Sequence, residues 1–315
     1  MSACTGTFNR TFLPLVFILA VLASGCSIQK LAVDSISDML ASGNSTVFTG
    51  EDDPVLVGEA LPFALKLYES LLGSAPDNQK LLLTTAQGFA LYAYAFVQGP
   101  ADMLPDEEFD EKQNGLARAK KLYLRARRYI MLAIELQHEG FTEAIQAQEW
   151  DGDLEMMAQE DVPYLYWAAM SWFGALTTDF FDMELLITMP RAVTLMQKAL
   201  ELDEAYDDGA IHEFLVSYYG SIPKEMGGSE ELARTHYARA LELSGGLKAS
   251  IHVALATAVS VANQNAAEFQ ELLGKALAID VDQEPRFRLL NILTQQRAGW
   301  LLEHVEDFFL IVEGQ

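Results

Sequence analysis

The side chains able to do chemistry are few in this chain and stand apart. No two of the five histidines, His138, His212, His236, His252 and His304, are three or four residues apart. A helix presents paired metal ligands on one face only at that spacing, so no metal site is expected. Asp151-Gly152-Asp153 opens like a calcium loop but lacks the remaining ligands of a twelve-residue loop. Both cysteines, Cys4 and Cys26, fall in the first 26 residues, leaving the body of the chain without a disulfide, thiolate site or cysteine nucleophile. There is no phosphate-binding glycine loop and no nucleophile elbow. Nothing assembles a nucleophile, base and oxyanion donor, so neither catalysis nor a cofactor is expected.

Noncovalent binding is better provided for. Tyr164, Tyr166, Trp167, Trp172 and Phe173 lie in one run. Three- and five-residue steps sweep round a helix, so Tyr164, Trp167 and Trp172 cannot all share a face with Tyr166 and Phe173. Part of the set is core and part is expected to face a groove. The adjacent rings of Tyr218 and Tyr219 point to different sides, so one of them is a candidate for a concave face. Lys224, in Pro223-Lys224-Glu225-Met226-Gly227-Gly228, is a cation in a very acidic chain and a sensible place to meet a carboxylate. The plain reading of Gly227 to Glu231 is a glycine turn, Ser229 as a helix cap, and Glu230 and Glu231 where the helix dipole favours negative charge. The alternative is a rim of a ligand channel or partner face.

The N-terminus reads as an address. Arg10 is the only charged side chain in the first 29 residues and precedes the apolar run Phe12 to Ala23, a length that suits a signal peptide and not a membrane-spanning helix. Leu22-Ala23-Ser24-Gly25-Cys26 resembles a bacterial lipobox, with its large aliphatic residue one place further from the cysteine than usual. Residues 1–25 are therefore expected to be a cleaved signal and Cys26 the lipidated first residue of the mature chain, at the periplasmic face of a membrane. Residues 26–40 are expected to be the lipidated tether and first helix. An ordinary cleaved signal followed by a free cysteine is one alternative, and a buried apolar helix is the other.

The elements that must position these groups are helices. The chain of 315 residues is 50% hydrophobic, enough for a sizeable core. Its 21 Lys and Arg against 45 Asp and Glu, a net charge of −24, exclude nucleic acid as a partner held by a basic surface. Beyond Leu31 the apolar residues recur at three- and four-residue spacing, which predicts an all-α fold. One pattern returns: Ala64, Tyr68, Leu71; Ala126, Ile130, Ala133; Ala192, Met196, Ala199; Ala233, Tyr237, Ala240; and, more weakly, Phe269, Leu273, Ala276. The i, i+4, i+7 spacing puts each set on one helix face, where small residues let a neighbour approach. The first residues of these sets are 62, 66, 41 and 36 residues apart, against about 34 for a tetratricopeptide repeat, whose second-helix signature they resemble. The early units then carry insertions, a loop at Gln98–Gly115 and another stretch at Gly140–Val162. Partner helices are expected at 78–97, 163–176, 207–219 and 247–262, with a C-terminal capping helix at 285–306. Gly88 and Gly174 partly meet the small position of the partner helices. The sum is one domain, 41–315, a solenoid of about four cryptic tetratricopeptide-like helix pairs.

Leu67-Tyr68-Glu69-Ser70-Leu71-Leu72 with Pro76-Asp77-Asn78, Gly220-Ser221-Ile222-Pro223-Lys224-Glu225-Met226-Gly227-Gly228, and Arg297-Ala298-Gly299-Trp300-Leu301-Leu302, together with the lipobox, resemble the T component of tripartite ATP-independent periplasmic (TRAP) transporters. The resemblance implies a periplasmic lipoprotein that assembles as a homotrimer and partners the transporter's solute-binding protein. It also implies a protomer pore that passes a small ligand, hydrophobic or an organic acid. A general repeat scaffold for protein–protein contacts in envelope assembly is the second reading.

Overall fold

The computed structural model describes residues 46–147 and 151–310. Cys26, the signal and the tether lie outside them. Every regular element among the described residues is helical. The long ones are α1 (Pro54–Ser74), α2 (Gln79–Ala93), α3 (Phe109–Gln137), α4 (Val162–Thr177), α5 (Met183–Leu202), α6 (Ala210–Ser221), α7 (Glu230–Leu243), α8 (Ala249–Leu255), α9 (Ala266–Leu277) and α10 (Arg288–Glu303).

Short polar side chains start many of them. Asp53 accepts from the amides of Val55 and Leu56, with Pro54 at the first helical position. Asn78, Asp182, Ser229 and Asn265 each accept an amide hydrogen bond three residues ahead, from Leu81, Leu185, Leu232 and Glu268. Such caps satisfy donors the helix cannot, each worth ~1 kcal/mol. The expected insertion loop at 98–115 is mostly helix: Gly99–Asp102 is a helical turn and α3 begins at Phe109, where Asp110 and Glu111 suit the positive end of the dipole. The partner helix expected from Asp207 starts at Ala210 instead, because Asp207, Asp208 and Gly209 take left-handed backbone angles. Two partner helices end in π-helical turns, Tyr94–Gln98 after α2 and Ala256–Ser260 after α8.

The recurring anchors are core. Ala126, Ile130, Ala133, Ala192, Met196, Ala199, Ala233, Ala240, Phe269, Leu273 and Ala276 are fully buried. The first unit is shifted: α1 buries Val57, Leu65, Tyr68 and Leu72, while Ala64 and Leu71 are only half-buried. Gly88 on α2 admits Leu65, whose Cδ2 would lie 2.7 Å from a Cβ there, and Gly174 on α4 admits the Tyr123 ring, 2.4 Å from one. Small residues here set how closely neighbouring helices stack.

Packing follows the chain and then closes. α1 packs on α2, α2 on α3, α3 on α4 and α4 on α5; α6 meets α5, α7 and α8, and α8 meets α9 and α10. α10 returns to α1, and the helical turn Thr46–Thr49 sits against Pro285–Phe287. Arg288 Nη1 donates to the Gly50 carbonyl at 2.8 Å, across 238 residues. The apolar interior divides in two, one core running from Leu65 to Ile222 and the other from Val216 to Leu301. Helix α6 belongs to both: Ile211, Phe214, Leu215 and Tyr218 face the first, Val216 the second.

Candidate functional site

Inside this circuit the partner helices carry polar groups toward one another. From the π turn after α2, Gln98 is buried, accepts the Tyr123 hydroxyl proton at 2.8 Å and donates to Thr177 Oγ1 at 3.2 Å. Asp102 follows one turn on. Burial pushes its carboxyl above the ordinary carboxylate range, against the opposing pull of Arg297 on α10 and Lys112 on α3. Tyr123 is held far above the ordinary phenol range by burial, with Tyr94, Asp102 and Arg297 all within electrostatic reach. Tyr166 on α4 is held up likewise, and Asp207, Glu213, Tyr206 and again Tyr94 act on it. Glu213 on α6 is raised by burial, opposed by Lys248, with the Ser250 hydroxyl turned toward it.

Tyr94 therefore links two halves of one tract that draws on α2, α3, α4, α6, α8 and α10. Asp102, Glu213 and Arg297 keep partial solvent access although protein encloses them, and Tyr94 is 40% exposed. Fully desolvated charges would be prohibitive without tight pairing. The partial exposure of Asp102, Glu213 and Arg297 lowers that cost. A π turn, rare and enriched at functional sites, places Tyr94 and Gln98 there.

The aromatic residues singled out in sequence are distributed differently. Trp172 is core: its indole N–H donates to Thr188 Oγ1 at 3.0 Å and the Arg127 guanidinium covers its ring at 4.5 Å. Trp167 is half-buried beside Tyr166 and the Tyr206 hydroxyl, and its own N–H has no hydrogen bond of ordinary geometry. Tyr164 is half-buried on the edge of the first core. Tyr218 is buried among Phe173, Phe214 and Tyr219. Tyr219 is half-buried and stacks on His236 with ring centroids 5.6 Å apart. Tyr166 is the member of the run that reaches the polar tract.

Lys224 is exposed on a 3-10 turn and rims an open surface depression with Gly228, Ser229, Glu230, Glu231 and Arg234. The turn admits only glycine at 228, since a Cβ there would overlap the Ile222 carbonyl. Gly228 also donates to the Pro223 carbonyl and Ser229 to that of Tyr219. Ser229 caps α7, as its plain reading requires.

Histidines distant in sequence do meet. His212 Nδ1 and His236 Nδ1 are 2.8 Å apart between α6 and α7, and His252 Nδ1 lies 2.8 Å from the Tyr237 hydroxyl. Burial, then the neighbouring His212, lowers His236 to about 4, and burial, then Lys275, lowers His252 to about 4. Both are neutral at pH 7. Among the described residues no three His, Cys, Asp or Glu side chains are grouped to hold a metal ion.

The interior tract was not visible as a motif. Of its members only Tyr166 and Arg297 lie in stretches that stood out, one in the aromatic run and one in Arg297-Ala298-Gly299-Trp300. Fold and site together define an all-helical protein with buried and half-buried polar groups between its helices, and with no helix among the described residues long and apolar enough to cross a membrane.

Residues 50–309 match the TRAP transporter T-component family, and the chain belongs to it. It is also 35% identical, over 310 residues, to an uncharacterized protein of Treponema pallidum (strain Nichols), covering 93% of this chain and 96% of that one. The family is a transporter component and not an enzyme family.

Proposed function

We propose that this protein is the lipid-anchored, non-catalytic T component of a TRAP system, docking the periplasmic solute-binding protein and passing a small ligand through its enclosed interior. Family membership makes it a subunit of such a system. The observation that supports the passage is the set of buried and half-buried polar groups, Asp102, Tyr123, Tyr166 and Glu213, drawn from separate helices and within electrostatic reach of Tyr94 or Arg297 or of one another. A chain that needed only a scaffold surface would have little reason to bury phenols and carboxyls between its helices.

In this reading the helix pairs are tetratricopeptide-like units of a solenoid, with α2, α4, α6 and α8 as inner helices and α10 as the cap. Cys26 carries the acyl chains, the protein stands at the periplasmic face of a membrane, and three copies assemble. Lys224 and the depression around it form the rim that meets the receptor. Confinement to the membrane raises the effective concentration of the partners without any new contact.

Cross-linking of intact cells, capture of this lipoprotein and mass spectrometry of its partners tests the assignment. Recovery of a TRAP-type solute-binding protein is the expected result. Recovery of cell-wall or outer-membrane assembly proteins alone would replace it with the scaffold.

A further inference from the structure

Helix α1 turns a row of apolar side chains away from the core. Leu56, Ala60, Phe63 and Leu67 recur at i, i+4, i+7 and i+11, which lines them up along one side of the helix. All four are exposed, Phe63 by 75%. The row is about 16 Å long at the rise of an α-helix. Single exposed apolar residues are ordinary, but a continuous row of them marks a surface that something covers.

The packing order points to the same face. Helices α3, α5, α7 and α9 each pack against the helix just before them in the chain, α2, α4, α6 and α8. Among the described residues α1 has ahead of it only the short turn Thr46–Thr49, which lies against Pro285–Phe287 and α10. The chain upstream of that turn has the right pattern to supply the missing partner. Ile28, Leu31, Ala32, Ile36 and Met39 fall on one half of a helix, and Lys30, Asp34, Ser37 and Asp38 on the other. A helix over residues 28–40 would be about 20 Å long, a match for the row on α1. Ala41-Ser42-Gly43-Asn44-Ser45 follows, with the composition of a turn. The chain then enters α1 by a fixed path, since the Gly50 amide donates to the Thr46 carbonyl at 2.9 Å and Asp53 caps the helix.

Charge chooses between a protein face and a lipid one. Amphipathic helices that lie in a membrane surface carry Lys and Arg on the polar side, toward anionic headgroups. This segment has two aspartates there against one lysine. Belonging to the same chain also gives it a high effective concentration at α1, which a second copy lacks.

We propose that residues 28–40, outside the described residues, fold back as an amphipathic helix antiparallel to α1 and cover Leu56, Ala60, Phe63 and Leu67. Ala32 and Ala60 let the two helices approach closely. The docking has a consequence that rests on the reading of Cys26 as the lipid anchor. Only Ser27 would then separate the acylated residue from the folded body, leaving beside the Leu67 end of α1. The body would be held against the membrane in one orientation and would not swing on a long tether.

Hydrogen exchange read by mass spectrometry tests it, on residues 26–315 carrying Cys26→Ser so that no lipid is attached. Without vesicles, and at any protein concentration, the amides of residues 28–40 are expected to exchange about tenfold more slowly than in Phe63→Asp or Ile36→Asp. Amides of α6 to α9 should be alike in all three proteins. Exchange of residues 28–40 as fast in the parent as in both variants overturns the proposal. So does protection that arises only with phosphatidylcholine–phosphatidylglycerol vesicles, which would make lipid the occupant, or that grows with protein concentration, which would make it a second copy. Should Phe63→Asp fail to fold, Ile36→Asp, which lies outside the described body, still decides. The anchor and the docking fail separately, because membrane fractionation of the protein with Cys26 intact tests the first and exchange in the unlipidated chain tests the second.

Discussion

Acid should unfold this protein through its buried histidines, and His252 offers the cleanest measure. It is 8% exposed, shares a hydrogen bond between Nδ1 and the Tyr237 hydroxyl, and is lowered from 6.5 to about 4 by burial and then by Lys275. A histidine depressed in the folded state gives stability that is complete above pH 6.5. That stability is lost as the pH falls toward 4, because the unfolded chain takes up the proton first. Between pH 7.5 and pH 5 the loss is about 2 kcal/mol for this side chain, by linkage at ~1.4 kcal/mol per pH unit. Replacing His252 with Asn removes the titration, whatever it does to stability at neutral pH. Urea unfolding of wild type and His252→Asn at both pH values, followed by circular dichroism, gives the difference directly. The variant should lose about 2 kcal/mol less than the wild type on acidification. The carboxylates lowered in the fold, such as Glu268 and Glu230, titrate in both proteins and cancel. Equal losses in the two proteins would refute the reasoning and show that His252 opens to solvent before it is protonated.

Other expected outcomes rest on single positions. Gly174→Ala drives a methyl to within 2.4 Å of the Tyr123 ring and should cost about 1–3 kcal/mol by overpacking, measurable in the same urea titration. Asn78→Ala removes the cap of α2 and should cost ~1 kcal/mol, with helix content at neutral pH unchanged. Lys224→Glu inverts the lysine of the rim and should weaken capture of the solute-binding protein while leaving thermal stability almost unchanged. If capture is unaffected, the rim is not the docking face. Cys26→Ser should move the protein from the membrane fraction to the soluble fraction and leave receptor binding in solution intact, which fractionation and pull-down read separately.

The helices were legible because burial imposes a period. Ala126, Ile130 and Ala133 or Ala192, Met196 and Ala199 can be read as one face, and that face is the fully buried one. Where a second constraint acts, the reading slips. In α1 the closest approach is made by Leu65 against Gly88, so the buried face is displaced by one residue from the expected anchors. In α4 Tyr166 and Trp172 are both buried, because a helix enclosed by α2, α3 and α5 has no free side for the sequence to mark with polar residues. The polar tract was the hardest part to foresee. Tyr94, Tyr166, Glu213 and Arg297 are each supplied by a different helix, and no local spacing announces a site that exists only after the last helix returns to the first. His212 and His236 were hidden in the same way, 24 residues apart in the chain and in hydrogen-bond contact in the fold.

That return also sets an order of events. Most packing along the circuit joins helices close in sequence, and the contact between α10 with its preceding turn and the first helices spans far more of the chain, with Arg288 reaching Gly50 over 238 residues. Contacts of such separation pay the largest loop entropy and form last. A chain emerging from synthesis or translocation can stack its helices neighbour on neighbour, and the contact of residues 285 to 303 with the first helices comes at the end. Truncation before α10 should therefore leave the earlier helices individually sound but without the contact that joins the two ends of the described chain.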